Sequence, residues 1–498
     1  MFVNHLCFAV LAVRKTLVAF FLSAALVAGV SPAGVAQRVK SAPFTYLPDD
    51  SEDRYNQQIT HKTIPLEDNT FLILSRKSAR EYSIDRHGED LRKSWSASIP
   101  LAPNETIEAF SRHETVAYVL TLTTDKQAGV QTLKAHVVDV NTGANRESQK
   151  LFEAPAKSRR IGTSIARDGS RMVAYELQTV NENIRTVRVS IFDSSFKNIK
   201  DRTYDFRNLP NTQSAQVLID NRGDQYVTLI TDNLTKLTVR RYNNTDNNIN
   251  VMEVQIGGVF EGRRVYMMDS RFQLEQDQAL YGTAFCVEEA TGNYHSLKAV
   301  KFDFAAGEMR LAPEFRFSPQ YLTDMAKVNK TDLPHPTRLE DLYLAEIVVT
   351  DDKNVVVIAE KKFVEGGENS PYLAQDLHLF AFNEYMTPTW RSVLMKNQKA
   401  PADEGFTGIS FRSAQMNNML YLLTLETLNK KTDLYLRKID ALNGQAEPPK
   451  RVGLNVADDE QISYVKDFTA WLDDKTLVAV NRPSRKSATL RLSRITVR

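Results

Sequence analysis

A chain of 498 residues with 63 basic and 61 acidic side chains has a formal net charge of only +2, little to offer a polyanion. This argues against nucleic-acid binding, which needs a basic surface to replace counterions. Two basic residues, Arg14 and Lys15, and no acidic ones lie in the first 36 positions, so 61 of each sign remain beyond them, and a polybasic membrane-surface protein is disfavoured too.

The N-terminus reads as a targeting segment. Arg14-Lys15 precedes an apolar run, Leu17 to Val30, and the small residues Gly34-Val-Ala36 follow. That order predicts a signal peptide over 1–36 with cleavage between Ala36 and Gln37. The run is short for a membrane span; a retained N-terminal anchor is the alternative. Met1 to Val13 is apolar ahead of the charges, an order that points to a natural start near Val13. Cleavage leaves Cys286 as the only cysteine, so no internal disulfide is expected. A chain of this size buries a core without covalent staples. The expected location is periplasmic or secreted, with no stable membrane insertion after processing.

Beyond a segment spanning 37–59, a pattern recurs about eight times over 60–498. A short polar turn is followed at once by an apolar strand. Five turns read Leu66-Glu-Asp-Asn-Thr70, Ala166-Arg-Asp-Gly-Ser170, Asp220-Asn-Arg-Gly-Asp224, Thr350-Asp-Asp-Lys-Asn354 and Leu472-Asp-Asp-Lys-Thr476. The strands are Phe71 to Leu74, Met172 to Tyr175, Tyr226 to Leu229, Val355 to Ile358 and Leu477 to Val480. Repeats of this kind predict an all-β propeller of seven or eight four-stranded blades. The near-continuous apolar runs suit strands covered on both faces. Asn141-Thr-Gly143 and Asn443-Gly444 supply turns after third strands.

The last unit ends without an outer strand, and Ala42 to Leu47 is the segment expected to complete it and close the ring. Seven blades with one unit as an insertion is the competing count. Between blades five and six, Ser318 as N-cap and Pro319 at the first helical position predict a short helix over 319–329. Its Tyr321, Leu322, Met325 and Val328 share one face. The insertion 318–340 and the loop Phe363 to Leu373 interrupt the repeat, which is where specificity is added to a regular scaffold. Tyr321, His335 and Tyr372 are therefore the candidate binding residues, with inward packing of Tyr321 as the alternative.

Signatures of chemistry are sparse. No histidine pair has metal-ligand spacing, and no HExxH or Cys-x-x-Cys is present. There is no Gly-rich phosphate loop and no G-x-S-x-G elbow. The acidic run Asp49-Asp-Ser-Glu-Asp53 lacks the alternation of a calcium loop. Arg222-Gly-Asp224 falls in a repeat turn. No catalytic residue, metal ligand or cofactor is assigned.

The stretch Ser164-Ile-Ala-Arg-Asp-Gly-Ser-Arg-Met-Val-Ala-Tyr175 resembles the repeat of TolB-type and related WD-like propellers. Val355 to Ala400, with Asp376-Leu-His-Leu-Phe-Ala-Phe382, Thr389-Trp-Arg391 and Lys396-Asn-Gln398, is similar to uncharacterised secreted propeller proteins of Bacteroidota-type bacteria. The resemblance implies export and a propeller and brings no catalytic residue. The expected function is an exported binding or scaffold module with a protein or glycan partner in a cell envelope. The alternative is a carbohydrate- or peptide-processing hydrolase whose site is assembled from several blades. A convergent charged cluster in a funnel on one face would favour the enzyme.

Overall fold

The computed structural model describes residues 39–49, 59–246, 248–329, 339–367, 370–402, 405–459 and 461–497. The expected cleavage site at Ala36 and Gln37, and His335, lie outside them. The strands pair into eight separate antiparallel sheets, and eight blades, not seven, form the propeller. The second strands run Phe71–Ser78, Val116–Asp125, Arg171–Val180, Gln225–Thr231, Ala279–Glu288, Val355–Val364, Met419–Leu428 and Thr476–Asn481. Each stands between an inner and a third strand and is buried over most of its length, as in Gln225–Thr231, where every residue is buried. Blade five carries two short strands beyond four and blade six carries one.

The repeat turns have a common cause. An acidic or hydroxyl side chain accepts a backbone N–H two to four residues on. Asp68 takes that of Thr70, Asp168 that of Ser170, Asp220 that of Arg222, Thr350 that of Asn354 and Asp473 that of Lys475. These local bonds fix the reversal before the strand begins. The Arg222-Gly-Asp224 tripeptide is spent in this way: Asp224 is buried and accepts from Arg241 and from the backbone of Asn244.

Neighbouring blades lock through tryptophan. Trp95, on the outer strand of blade one (Lys93–Pro100), donates Nε1–H to the carbonyl of Val140 in blade two at 3.1 Å. Trp390 of blade six does the same to Ala441 of blade seven at 2.8 Å. Each indole lies on a glycine turn, so a Cβ on Gly143 or Gly444 would sit 2.7 or 2.6 Å from ring carbons. Both glycines also have positive φ, 74° and 73°, which a side chain strains.

The ring is closed by an N-terminal strand, Val39–Phe44, which pairs antiparallel with Leu490–Thr496 of blade eight from Val39↔Ile495 to Phe44↔Leu490. The chain then crosses to blade one. Leu47 bridges Arg76, and Asp49 accepts from Lys62 at 2.6 Å and from the Tyr82 hydroxyl at 2.8 Å. Segment 39–49 is thus a strap between the last blade and the first.

Helix α1 (Pro319–Asn329) sits between blades five and six, with Ser318 Oγ accepting the N–H of Tyr321 as a cap. Its Tyr321 and Leu322 join the core shared by those blades, with Phe285, Phe380 and Phe382.

Candidate functional site

The helix packing overturns one expectation. Tyr321 is not an exposed loop residue: it is 5% exposed, packs against Phe315 and Phe380, and its hydroxyl meets His378 Nδ1 at 2.8 Å. An amphipathic helix next to a gap in the core buries its apolar face, and here that face plugs a blade junction. Tyr372 is not a loop residue either. It begins the third strand of blade six (Tyr372–Phe382) and lies edge-on to Phe406 at 5.0 Å. The structure therefore does not bring Tyr321 and Tyr372 together as an exposed pair.

Charged side chains instead gather on the innermost strands. These are Thr63–Pro65 in blade one, Arg263–Leu274 in blade five, Leu342–Val349 in blade six, Phe411–Met416 in blade seven and Tyr464–Trp471 in blade eight. Innermost strands of a propeller surround its central channel. Pro65, Leu274 and Val349 are the last paired residues before their turns, and Lys62, Arg271 and Glu346 stand at the same step before them. The three charges therefore share one level of the channel.

Arg412 ties this region together. Its Nε donates to the carbonyl of Lys466 at 3.0 Å, its Nη1 to His61 Nε2 at 3.0 Å and its Nη2 to the carbonyl of Thr60. One guanidinium thus joins blades seven, eight and one. His61 is held neutral: burial, then the charge of Arg412, pushes its pKa down to about 3. Neutral imidazole accepts from Arg412 at Nε2, leaving Nδ1–H to face Thr60 Oγ1 at 3.0 Å. Asp467 lies 3.6 Å from both Arg412 and Lys62, and Lys62 also reaches Asp49 of the strap. Beside them, buried Lys396 and Glu360 pair at 2.8 Å, and Ser410 donates to Glu360 at 2.6 Å.

Two cations are left over. Lys466 is 8% exposed, and its ammonium makes no hydrogen bond or ion pair among the described residues. Burial pushes its pKa down to about 8, with Asp467 opposing and Arg412 adding to the shift. Arg271 is exposed, has no such partner among the described residues, and is within electrostatic reach of His61 and Glu346. Two carboxyls close by are pushed the other way. Burial raises the pKa of Glu346, which accepts from Ser413, and that of Asp269, which accepts the N–H of Leu344 at 2.8 Å. Groups perturbed in this way on neighbouring inner strands mark a candidate functional site.

No protein-family model matches the chain, and no curated protein matches it in sequence. Among solved structures it is similar to the WD40 domain of SCAP from fission yeast, with 9% identity over 92% of this chain and 98% of that one and a TM-score of 0.38. It is also similar to polysaccharide lyase Uly1, with 8% identity over 78% and 90% and a TM-score of 0.40. Prolyl oligopeptidase B from Galerina marginata matches with 9% identity over 86% of this chain and 56% of that one, TM-score 0.41. The strand pairing described above, and not these distant likenesses, establishes the propeller.

Sequence reasoning missed the axial residues because it followed the second strands, whose apolar runs are conspicuous. The usable signal was the placing of charges inside inner strands: Asp269 and Arg271 within Arg263–Leu274, and Lys466-Asp467 within Tyr464–Trp471. Among the described residues, no group of three or more His, Cys, Asp or Glu side chains is placed to hold a metal ion.

Proposed function

We propose that this is an exported binding propeller that engages a partner in a cell envelope through the axial end bearing Arg271 and Lys466. One observation carries the reading: Arg271 and Lys466, on inner strands of blades five and eight, make no hydrogen bond or ion pair through their charged groups among the described residues, whereas Lys62, Lys396 and Arg412 are each held by such partners. Leaving a buried ammonium unpaired is costly, and an anionic group on a partner would offset that cost. The Arg14-Lys15 segment and the likeness of Val355 to Ala400 to secreted propellers support export. The loop after Val364 adjoins the same region, since Phe406 contacts both Tyr372 and Lys362.

The test is affinity capture from envelope extract with the processed protein, its Arg271→Glu variant and a variant lacking Gly366 to Pro371. Capture of a defined partner that is lost with Arg271→Glu is expected. Equal capture by both moves the binding face elsewhere. Mass spectrometry of the N-terminus tests export: intact Met1 in the cytosol would end that part of the reading.

A hydrolase is the second reading, favoured by the raised carboxyls Glu346 and Asp269 on adjacent inner strands, since a carboxyl kept protonated is a general acid. Turnover of a glycosidase or peptidase substrate abolished by Glu346→Gln or Asp269→Asn would replace the binding reading with this one.

A further inference from the structure

Each of the eight blades ends in an outer strand with a sheet neighbour on one side only. An edge of this kind is a template for a further strand, and proteins blunt it with charges, above all lysine, and with proline. Seven of the blades do so. The outer strands Lys93–Pro100, Gln149–Pro155, Asn198–Asp205, Glu308–Leu311, Pro388–Leu394 and Lys450–Arg451, and the closing strand Val39–Phe44, each hold lysine, arginine or proline. Blade four does not. Its outer strand, Ile249–Gln255, reads Ile-Asn-Val-Met-Glu-Val-Gln. Its single charge, Glu253, is held by Lys236 of the strand beside it at 2.7 Å. Ile249 and Val251 are 52% and 51% exposed.

The residues that show these apolar side chains also present the free backbone groups. The strand pairs with Lys236–Tyr242 in one register, from Lys236↔Gln255 to Tyr242↔Ile249. Beyond its ends, Asn243 donates its N–H to the carbonyl of Asn248, and Ile256 donates to that of Thr235. Backbone groups alternate in direction along an antiparallel strand. Asn250, Met252 and Val254 therefore bond inward, and Ile249, Val251, Glu253 and Gln255 turn their N–H and C=O groups to the open side.

A second copy of the same strand suits this edge. Residues that face each other across an antiparallel pair must share a sheet face and both turn their backbone groups toward the partner. Ile249 and Val251 meet both conditions against each other. With a two-fold axis at Asn250, Ile249 of one copy faces Val251 of the other, and each such pair exchanges both backbone bonds. The charge pattern selects this register. It sets the two Glu253 residues six positions apart along the strands, about 20 Å, beyond the screening length of physiological salt. An axis at Val251 or Met252 would instead bring Glu253 against the apolar Ile249 or Val251. No lysine or arginine on the edge opposes the approach of its own copy, as one would on the other seven.

We propose that two copies of this chain associate through Ile249–Gln255, joining their fourth blades into one continuous antiparallel sheet. Two convex rims that meet along one short strand bury little area, so the association is weak and follows concentration.

Sedimentation equilibrium of the purified protein from about 10 μM to about 1 mM, the range of a weak association, tests this. The weight-average mass should rise with concentration from the monomer's toward twice that value. Val251→Pro removes an outward N–H and no bond within the blade, and Val251→Lys installs the kind of charge that the other edges carry. Each should weaken association by about tenfold or more, with the urea midpoint of Val251→Lys unchanged. Arg271→Glu, on an inner strand, should associate as wild type does, which keeps this test separate from that of the axial end. The proposal is overturned if wild type stays monomeric over this range, if both Val251 variants associate as wild type does, or if Arg271→Glu abolishes association. A monomeric wild type whose envelope capture is lost with Val251→Pro would assign the edge to a strand of another protein and rule out the dimer.

Discussion

The hydroxyl of Tyr321 and Nδ1 of His378 lie 2.8 Å apart, joining the inserted helix to the third strand of blade six. Both are buried, so the bond replaces solvation that neither group has. Tyr321→Ala should cost about 3–5 kcal/mol, as for other buried aromatics, and Tyr321→Phe about 1–2 kcal/mol for the unpaired imidazole nitrogen. Urea denaturation measures both. A Tyr321→Ala protein as stable as wild type would show that the helix does not dock as described.

Acid should destabilise the protein through the buried imidazole of His378. Burial holds His378 neutral, with its pKa pushed down to about 3 from 6.5. The unfolded chain therefore takes up this proton first as pH falls. Its contribution is complete above pH 6.5 and is lost progressively down to about pH 3. At about 1.4 kcal/mol per pH unit, it costs roughly 2 kcal/mol at pH 5. Urea midpoints at pH 7 and pH 5 should differ accordingly, and His378→Gln should remove that part of the difference. An unchanged pH dependence in His378→Gln would mean that this imidazole titrates freely in the folded state.

The contrast between fold and site has a physical origin. The Asp-Gly turn at Asp168-Gly169 and the apolar run Val355 to Ile358 are local signals, so blades, turns and the helix from Pro319 were legible. Whether the outer strand of the last blade came from the N-terminus turned on pairing between Val39–Phe44 and Leu490–Thr496, yet the missing strand made the need for it visible. The axial cluster was another matter. Lys466 and Arg271 are far apart in sequence and share the propeller's inner strands only because the ring closes. Tyr321 misled because an aromatic residue in an insertion looks the same in sequence whether it faces solvent or Phe380.

The two tryptophan locks should be intolerant of a methyl group. Gly143→Ala places a Cβ 2.7 Å from the Trp95 indole, and Gly444→Ala places one 2.6 Å from Trp390, each at a positive φ. A destabilisation of about 1–3 kcal/mol is expected for each from overpacking and strain. Trp95→Phe combined with Gly143→Ala should cost less than the sum, because the smaller ring vacates the contested space. Simple additivity in denaturation midpoints would show that the methyl does not meet the indole.

Closure by the strap predicts a defined failure. Phe44 is buried and lies 5.1 Å edge-on to Phe468 of blade eight. Phe44→Ala should cost about 3–5 kcal/mol and loosen the pairing that covers Leu490–Thr496, exposing a sheet edge. Light scattering on mild heating should then show association that wild type does not show at the same temperature. Destabilisation without association would mean that the edge stays covered.

Lys466 should be a place where the protein gains stability by losing a charge. Its side chain is buried and its ammonium makes no hydrogen bond or ion pair among the described residues, and burial pushes its pKa down to about 8 from 10.5. The folded state therefore holds this proton less well than the unfolded chain does. The penalty is full below pH 8 and fades as pH rises to 10.5, where both states are neutral. A shift of this size corresponds to about 3 kcal/mol, and Lys466→Met, which keeps the volume and removes the charge, should recover roughly 1–3 kcal/mol at pH 7. The gain should shrink steadily between pH 8 and 10.5. A variant less stable than wild type at pH 7 would show that the ammonium already has a partner.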